Sequence, residues 1–359
     1  MTLHIFNPEH DIALASGLWN FTAPHAARLL RHDLAFLPAI WAKADDVVLV
    51  EDAEAAARSL RRLRLPITGI ALVTRSQLPQ LTISSIEPWG WNAALRALLL
   101  RCGIDRQLLP SPEAIEQMRQ LSRRSLACRL QPKLRREGTV GASVECNRMD
   151  DVARLLRHYG HIVVKAPWSS SGRGIRYIDS EEAFSRHELQ GWMSRVMESQ
   201  QSVMVEPYYN RVKDLAMEFH ADAHGNISYE GLSLFHTENG AYTGNLLATE
   251  QACLSIITRY ISADLLERIK QTIQNELRDA LSNKYIGSVG VDMMIVSIHN
   301  SPKPRFMLHP CVEINLRRTM GHVALATELR LNPTHDDDLQ HAMRIQYAND
   351  KYQLRLTRL

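Results

Sequence analysis

Through the first hundred residues, short apolar runs alternate with longer stretches whose apolar positions recur at helical spacing. Residues 3–6 read as a strand, the polar turn NPEHD follows, and a helical segment starts near Ile12. A second strand over 46–50 and a third around 69–73 flank a helical stretch at 51–65. Strand and helix in alternation predict a parallel α/β unit. From Asn92 the run NAALRALLL has the spacing of a helix that packs this unit. Ser111 and Pro112 then form an N-cap and first-turn pair for a helix over 112–126, so a domain boundary falls between 110 and 111.

Beyond that point the pattern changes. A loop at 135–140, a helix over 149–160 capped by Gly160, a strand at 161–165, helical spacing over 181–199 and a short strand at 203–206 predict a small lobe, 111–205. Residues 215–221 and 227–235, joined by the turn AHGN, predict antiparallel strands of a second lobe, 206–345, and 262–284 is a long amphipathic helix within it. The acidic triple Asp336, Asp337 and Asp338 reads as the first turn of a final helix, where it would complement the macrodipole. Residues 346–359 read as a C-terminal tail.

The chemistry gathers in separated segments. In VVKAPWSSSGRGI, the small residues Ser169, Ser170, Ser171, Gly172 and Gly174 let backbone N–H groups approach phosphate oxygens, and Lys165 and Arg173 supply charge. Read alone, the same loop is also an ordinary Gly/Ser turn. Much later, Glu313 and Asn315 stand two apart in a strand-like run and therefore point to one face of a sheet. Asp292, inside the apolar segment GVDMMIV, adds a third oxygen donor, and burying a carboxylate there without a partner is costly. Hard cations such as Mg²⁺ take one or two carboxylates together with substrate phosphates. Arg317 and Arg318 place cationic donors beside this set.

In this order, over roughly residues 111–340, these segments resemble the ATP-grasp superfamily. The resemblance implies two α+β lobes that sandwich ATP, preceded by a Rossmann-like α/β domain at 1–110. It implies that Lys165 reaches the α- and β-phosphates, that Ser169, Ser170, Ser171, Gly172, Arg173 and Gly174 form a mobile glycine-rich loop, and that Glu206, Pro207 and Tyr208 form the hinge that holds adenine. Asp214 falls at the ribose-binding position. Asp292, Glu313 and Asn315 match the magnesium ligands, with manganese as a substitute, and Arg317 follows in the ExNxR pattern. The sequence departs from the family at two places. Arg123 and Arg124 stand where a lysine is usual, and an arginine forks differently from an ammonium. Asp214 is one methylene shorter than the usual glutamate.

The implied activity is that of an ATP-dependent ligase. A small-molecule or peptide carboxylate attacks the γ-phosphate, and an amine or thiol intercepts the acyl phosphate, releasing ADP and phosphate. Lys165 and Arg317 would act with the metal as the catalytic groups. A kinase that phosphorylates a small molecule and a nucleotide-binding regulator are the alternatives. For the substrates, Asn7 and His10 crowd the end of the first strand, where open α/β sheets bind ligands, although they could equally cap the next helix. His236, Tyr242 and Asn245 lie in HTENGAYTGN, readable as a loop closing over the acceptor or as a plain surface connection. Arg318 is a further substrate candidate.

Bulk properties narrow the field. A chain of 359 residues that is 45% hydrophobic can hold several lobes. A net charge of +3, with the basic residues spread out, argues against a nucleic-acid partner, and the cluster Arg58, Arg61, Arg62, Arg64 fits a solvated helix face. The five cysteines form no CxxC pair, so free thiols are expected. The first residues fit neither a secretory signal nor a membrane span, and a cytoplasmic protein without a membrane partner is expected, with a homodimer left open. SSSGRG lacks the Gly-Lys-Ser/Thr ending of a Walker loop, and neither GxGxxG nor the kinase HRD and DFG segments occur.

Overall fold

The computed structural model describes residues 1–169, 174–238, 241–298 and 305–359. The alternating pattern of the first hundred residues becomes β1 (Thr2–Ile5), α1 (His10–Ser16), α2 (His25–Leu34), β2 (Val47–Leu49), α3 (Ala53–Arg62), β3 (Ala71–Val73), β4 (Ser85–Pro88) and α4 (Ala93–Arg101). The strands pair in parallel in the order β3-β2-β1-β4. Consecutive residues of β1 and β2, such as Val47 and Val48, are buried, which is why these strands read as continuous apolar runs. Asn92 caps α4 by accepting from the Leu95 N–H.

The small lobe opens with α5 (Pro112–Leu121), where Ser111 Oγ accepts from the Ala114 N–H and Pro112 takes the first turn. The helix expected to reach 126 stops at Leu121, and α6 (Ser125–Leu134) starts afresh. The reason is tertiary: the Arg124 N–H donates to the Pro167 carbonyl, 3.1 Å away. β5 (Val144–Cys146), α7 (Met149–Tyr159), β6 (Ile162–Lys165), β7 (Ile175–Ile178), α8 (Glu181–Phe184), α9 (His187–Gln200) and β8 (Val203–Pro207) follow, with sheet order β5-β8-β6-β7. Gly160 ends α7 at φ 72°, a conformation that favours glycine, and its N–H donates to Leu156. Val152 and Leu156 of α7 pack on Val164 and Val205 of the sheet.

The large lobe comprises β9 (Asn210–Ala221), β10 (Ile227–Glu238), β11 (Ala241–Leu247), α10 (Glu250–Ile257), α11 (Ala263–Leu281), β12 (Gly287–Ile298), β13 (Arg305–Asn315), α12 (Met320–Leu331), β14 (His341–Ala348) and β15 (Lys351–Arg358). Its strands run antiparallel in the order β13-β12-β9-β10-β11-β14-β15. On β9, Leu215, Met217 and Phe219 join a core with Ile269, Ile273 and Leu277 of α11, so Asp214, Ala216 and Glu218 face the other way. That second face carries the candidate chemistry.

Three expectations change here. The segment around His236 to Asn245 is a strand pair with Phe235 opposite Asn245 and His236 opposite Gly244, not a closing loop. Asp336, Asp337 and Asp338 lie in the turn before β14 instead of starting a helix, and Thr249 donates to Asp337. Residues 346–359 are not a tail but the outer half of the β14–β15 hairpin. That hairpin reaches the first domain: the Tyr352 N–H donates to Asp33 at 2.8 Å, and Met343 and Leu354 share a core with Leu34, Phe36 and Val48. Among the described residues no helix is long and apolar enough to cross a membrane.

Candidate active site

The face of the large sheet turned away from α11 lines a cleft of about 300 Å³, to which Pro8 and Asp11 of the first domain and Arg124 and Ser169 of the small lobe also contribute. Antiparallel pairing sets Asp292 on β12 directly opposite Glu313 on β13, with Asn315 two residues on. Asn315 Nδ2 donates to Asp292 Oδ2 at 3.1 Å. Burial, then the nearby carboxylates of Glu313 and Glu218, push the Asp292 carboxyl up to about 8.

Two arginines oppose this negative charge. Arg124 pairs with Glu313 at 2.8 Å and also donates to the Ala166 carbonyl at 2.6 Å and to Ser169 Oγ at 2.7 Å. Arg317 forks onto Asp11, with Nε at 2.9 and 3.1 Å and Nη2 at 2.8 Å from the carboxylate oxygens. Burial raises the Asp11 carboxyl, but Arg317 outweighs it and holds the group below its ordinary value.

The donor set fits a hard cation. Two opposed carboxylates and an amide supply oxygens, and the crowding that raises Asp292 is what a divalent charge would relieve. Among the described residues no group of three or more His, Cys, Asp and Glu side chains converges on one point. A cation held here must therefore complete its shell with water or phosphate oxygens.

Lys165 on β6 lies opposite Met204 on β8, two residues from Glu206, so the two side chains share a face and pair at 2.6 Å, 8% and 6% exposed. His309 of β13 is buried nearby. Burial, then the Lys165 charge, lowers it to about 3, and neither ring nitrogen has a partner. Pro207 ends β8, and Tyr208 stacks on His161 with centroids 4.0 Å apart. Asp214 accepts from Thr237, which lines the cleft, at 2.8 Å and from Arg211 at 2.9 Å.

The other candidates divide. Of the two arginines, Arg124 enters the cleft, whereas Arg123 turns to Glu145 at 2.9 Å and Ser202 at 3.0 Å and lies over the Trp168 ring. Tyr242 and Asn245 line the cleft, and Tyr242 donates to Asn245 Oδ1; His236 is not among its lining residues. Asn7 exchanges hydrogen bonds with Gly90, and buried His10 stands 3.3 Å from the Asn92 amide, so both tie the first domain together. Burial lowers His10 to about 4. Arg318 is also outside the cleft: its N–H donates to Trp89 and its guanidinium lies over Trp41. Ser170, Ser171, Gly172 and Arg173 lie outside the described residues. Gly174 accepts from the Ala166 N–H at 2.8 Å, and a Cβ there would lie 2.3 Å from that of Ser169.

Sequence reasoning passed over Glu218. Its carboxylate is fully buried in the cleft wall, accepts from Thr319 at 2.9 Å and Ser233 at 3.1 Å, and meets His322 Nδ1 at 2.9 Å. A side chain at Gly321 would put its Cβ 1.8 Å from Glu218 Oε1, so the glycine makes room for the carboxylate. One available signal was a lone acid in the apolar stretch LAMEF, on the same face as Asp214.

A family model for the ATP-binding domain of the carbamoyl-phosphate synthase L chain matches residues 124–237. No curated protein matches the sequence. Among solved structures, N5-carboxyaminoimidazole synthetase from Staphylococcus aureus, complexed with ADP, is 13% identical with a TM-score of 0.51, covering 97% of this chain and 83% of that one. Biotin carboxylase from Campylobacter jejuni, in a β-γ-ATP complex, is 13% identical with a TM-score of 0.54, covering 96% and 75%. The biotin carboxylase domain dimer of Hydrogenobacter thermophilus 2-oxoglutarate carboxylase, with MgADP, ADP and bicarbonate, is 12% identical with a TM-score of 0.54, covering 86% and 71%. At these identities the likeness is one of fold, and it includes the N-terminal domain.

Proposed function

We propose that this chain is an ATP-dependent ligase of the ATP-grasp kind, a reading supported by the match of residues 124–237 to the ATP-binding domain of the carbamoyl-phosphate synthase L chain and by the fold shared with the Staphylococcus and Campylobacter proteins. In this reading it activates a carboxylate as an acyl phosphate and joins it to an amine or thiol. The observation that carries the reading is the cleft floor, where Asp292, Glu313 and Asn315 meet Arg124 and Arg317. That the Staphylococcus and Campylobacter proteins were solved with nucleotides supports ATP as the phosphoryl donor.

Asp292, Glu313 and Asn315 would hold Mg²⁺, or Mn²⁺ in its place, and the bound cation would neutralise phosphate charge. Phosphoryl transfer is catalysed chiefly by positioning and by charge, so the roles of the side chains follow from where they stand. Arg124, already bonded to Ser169 beside the glycine-rich segment, donates to phosphate oxygens. Lys165 exchanges Glu206 for the α- and β-phosphates, and the freed Glu206 carboxylate accepts from the adenine amino group. Arg317 stabilises the charge on the transferred phosphoryl group. A substrate carboxylate oxygen then bonds to the γ-phosphorus as the bond to the β-phosphate oxygen breaks and ADP leaves. The acceptor, entering beside Tyr242 and Asn245, attacks the acyl carbon, loses its proton, and phosphate departs. A homodimer, by analogy with the Hydrogenobacter domain, is part of the proposal.

The test is a screen of carboxylate and amine mixtures for Mg²⁺-dependent ADP release, followed by hydroxylamine in place of the amine. A hydroxamate marks the acyl phosphate and supports the ligase. A stable phosphorylated product without hydroxamate makes the protein a kinase, and absence of any Mg²⁺-ATP thermal shift removes the nucleotide itself.

A further inference from the structure

The end of β1 divides between two cavities. Pro8 and Asp11 line the cleft described above, Asn7 and Glu9 line a second cavity of about 420 Å³, and Phe6 lines both. The second cavity lies within the first domain, walled by the carboxyl ends of β1 and β2 together with α2 and α4. Open parallel sheets present ligand sites at this edge. Its lining gives the chemistry.

Four arginines line it. Arg31 is neutralised by Glu9 and Glu51. Among the described residues, Arg28, Arg75 and Arg101 have no ion-pair partner, and they arrive from three separate segments: α2, the turn after β3, and the last turn of α4. Like charges gathered at one mouth repel each other, and an anion converts that repulsion into charge-assisted hydrogen bonds. Glu9 adds a second requirement. It is 8% exposed, its Oε1 accepts from Arg31, and its buried Oε2 has no partner. An unmatched buried carboxylate oxygen calls for a donor. Trp19, 67% exposed, adds an open aromatic face to the lining.

We propose that this cavity is a second ligand site, for a small molecule that carries a phosphate or carboxylate group, held by Arg28, Arg75 and Arg101, and a hydroxyl or ammonium donor for Glu9. It stands independently of the ligase reading, since none of these residues belongs to the ATP cleft.

Thermal stability and Trp19 fluorescence are followed for the full chain against inorganic phosphate, glycerol 3-phosphate and aspartate, each compared with sodium chloride at matched ionic strength. Trp19→Phe isolates the local signal. An Arg75→Gln/Arg101→Gln double variant should keep the fold, because both side chains are exposed and, among the described residues, neither takes part in an ion pair. At least one probe shifts Tm and Trp19 emission in the wild type, and the double variant binds it on the order of tenfold more weakly or worse. The Mg²⁺-ATP response of that variant is unchanged. A response to the phosphates alone assigns a phosphorylated ligand, and a response to aspartate alone assigns a carboxylate. The site is refuted if no probe exceeds the chloride control, or if the double variant responds as the wild type does.

Discussion

Glu313 is held in two ways that a single substitution separates. It faces Asp292 across the ladder and accepts from Arg124. Glu313→Gln keeps an acceptor oxygen for Arg124, so the fold survives, while the charge offered to a cation is lost. ADP release by an active substrate pair should fall by orders of magnitude, and a variant of undiminished activity would remove Glu313 from the metal site. That Glu313 and Asn315 share one face was legible because side chains in a strand alternate with period two. The fork of Arg317 on Asp11 was not, since it joins residues 306 positions apart and spacing carries no information across such a distance. His309 yields a pH prediction. Burial holds it at about 3, against an unfolded value near 6.5, so the unfolded chain takes up this proton first. The stability it contributes is complete above about pH 6.5 and declines as pH falls from there toward 3. As pH falls from about 6.5 to 5, the unfolding free energy of the wild type, from urea titrations, should fall relative to that of His309→Leu with a slope difference approaching about 1.4 kcal/mol per pH unit. Parallel profiles would show that the imidazole does not titrate as its burial requires.

At the scale of elements, β6 and β8 are linked by the buried Lys165–Glu206 pair as well as by their ladder. Removing one partner strands a charge, and removing both does not. Lys165→Ala should therefore cost about 3 kcal/mol or more in chemical denaturation, and Lys165→Met combined with Glu206→Gln should recover most of it while still failing to bind ATP. If the double variant were less stable than either single one, the pair would not be the source of the loss. Capped elements were readable in advance: Ser111 and Gly160 mark their helices because each meets a backbone group left over at a helix end. The break before Arg124 was not readable, since the Pro167 carbonyl that takes its N–H lies in another element. The β10–β11 hairpin looked like a loop because some of its polar side chains line the cleft. β15 was within reach, for Tyr352, Leu354 and Leu356 alternate as an edge strand requires.

Across the whole molecule, the order of strands in space differs sharply from their order in the chain. β15 packs on α2, and Leu354 and Met343 complete the core built by Leu34, Phe36 and Val48. A chain stopped at residue 340 should lose the cooperative unfolding of its first domain and expose that core to a hydrophobic dye. Retention of a sharp transition would show that residues 1–110 suffice for themselves. Proteins usually fold domain by domain as they leave the ribosome, amino-terminal part first. Here Leu34, Phe36 and Val48 share a core with Met343 and Leu354, so that core is completed only after roughly 300 further residues have been translated. If those strands stay open to chaperones and neighbouring nascent chains in the meantime, slowing synthesis of the large lobe should lower the fraction of this protein recovered folded.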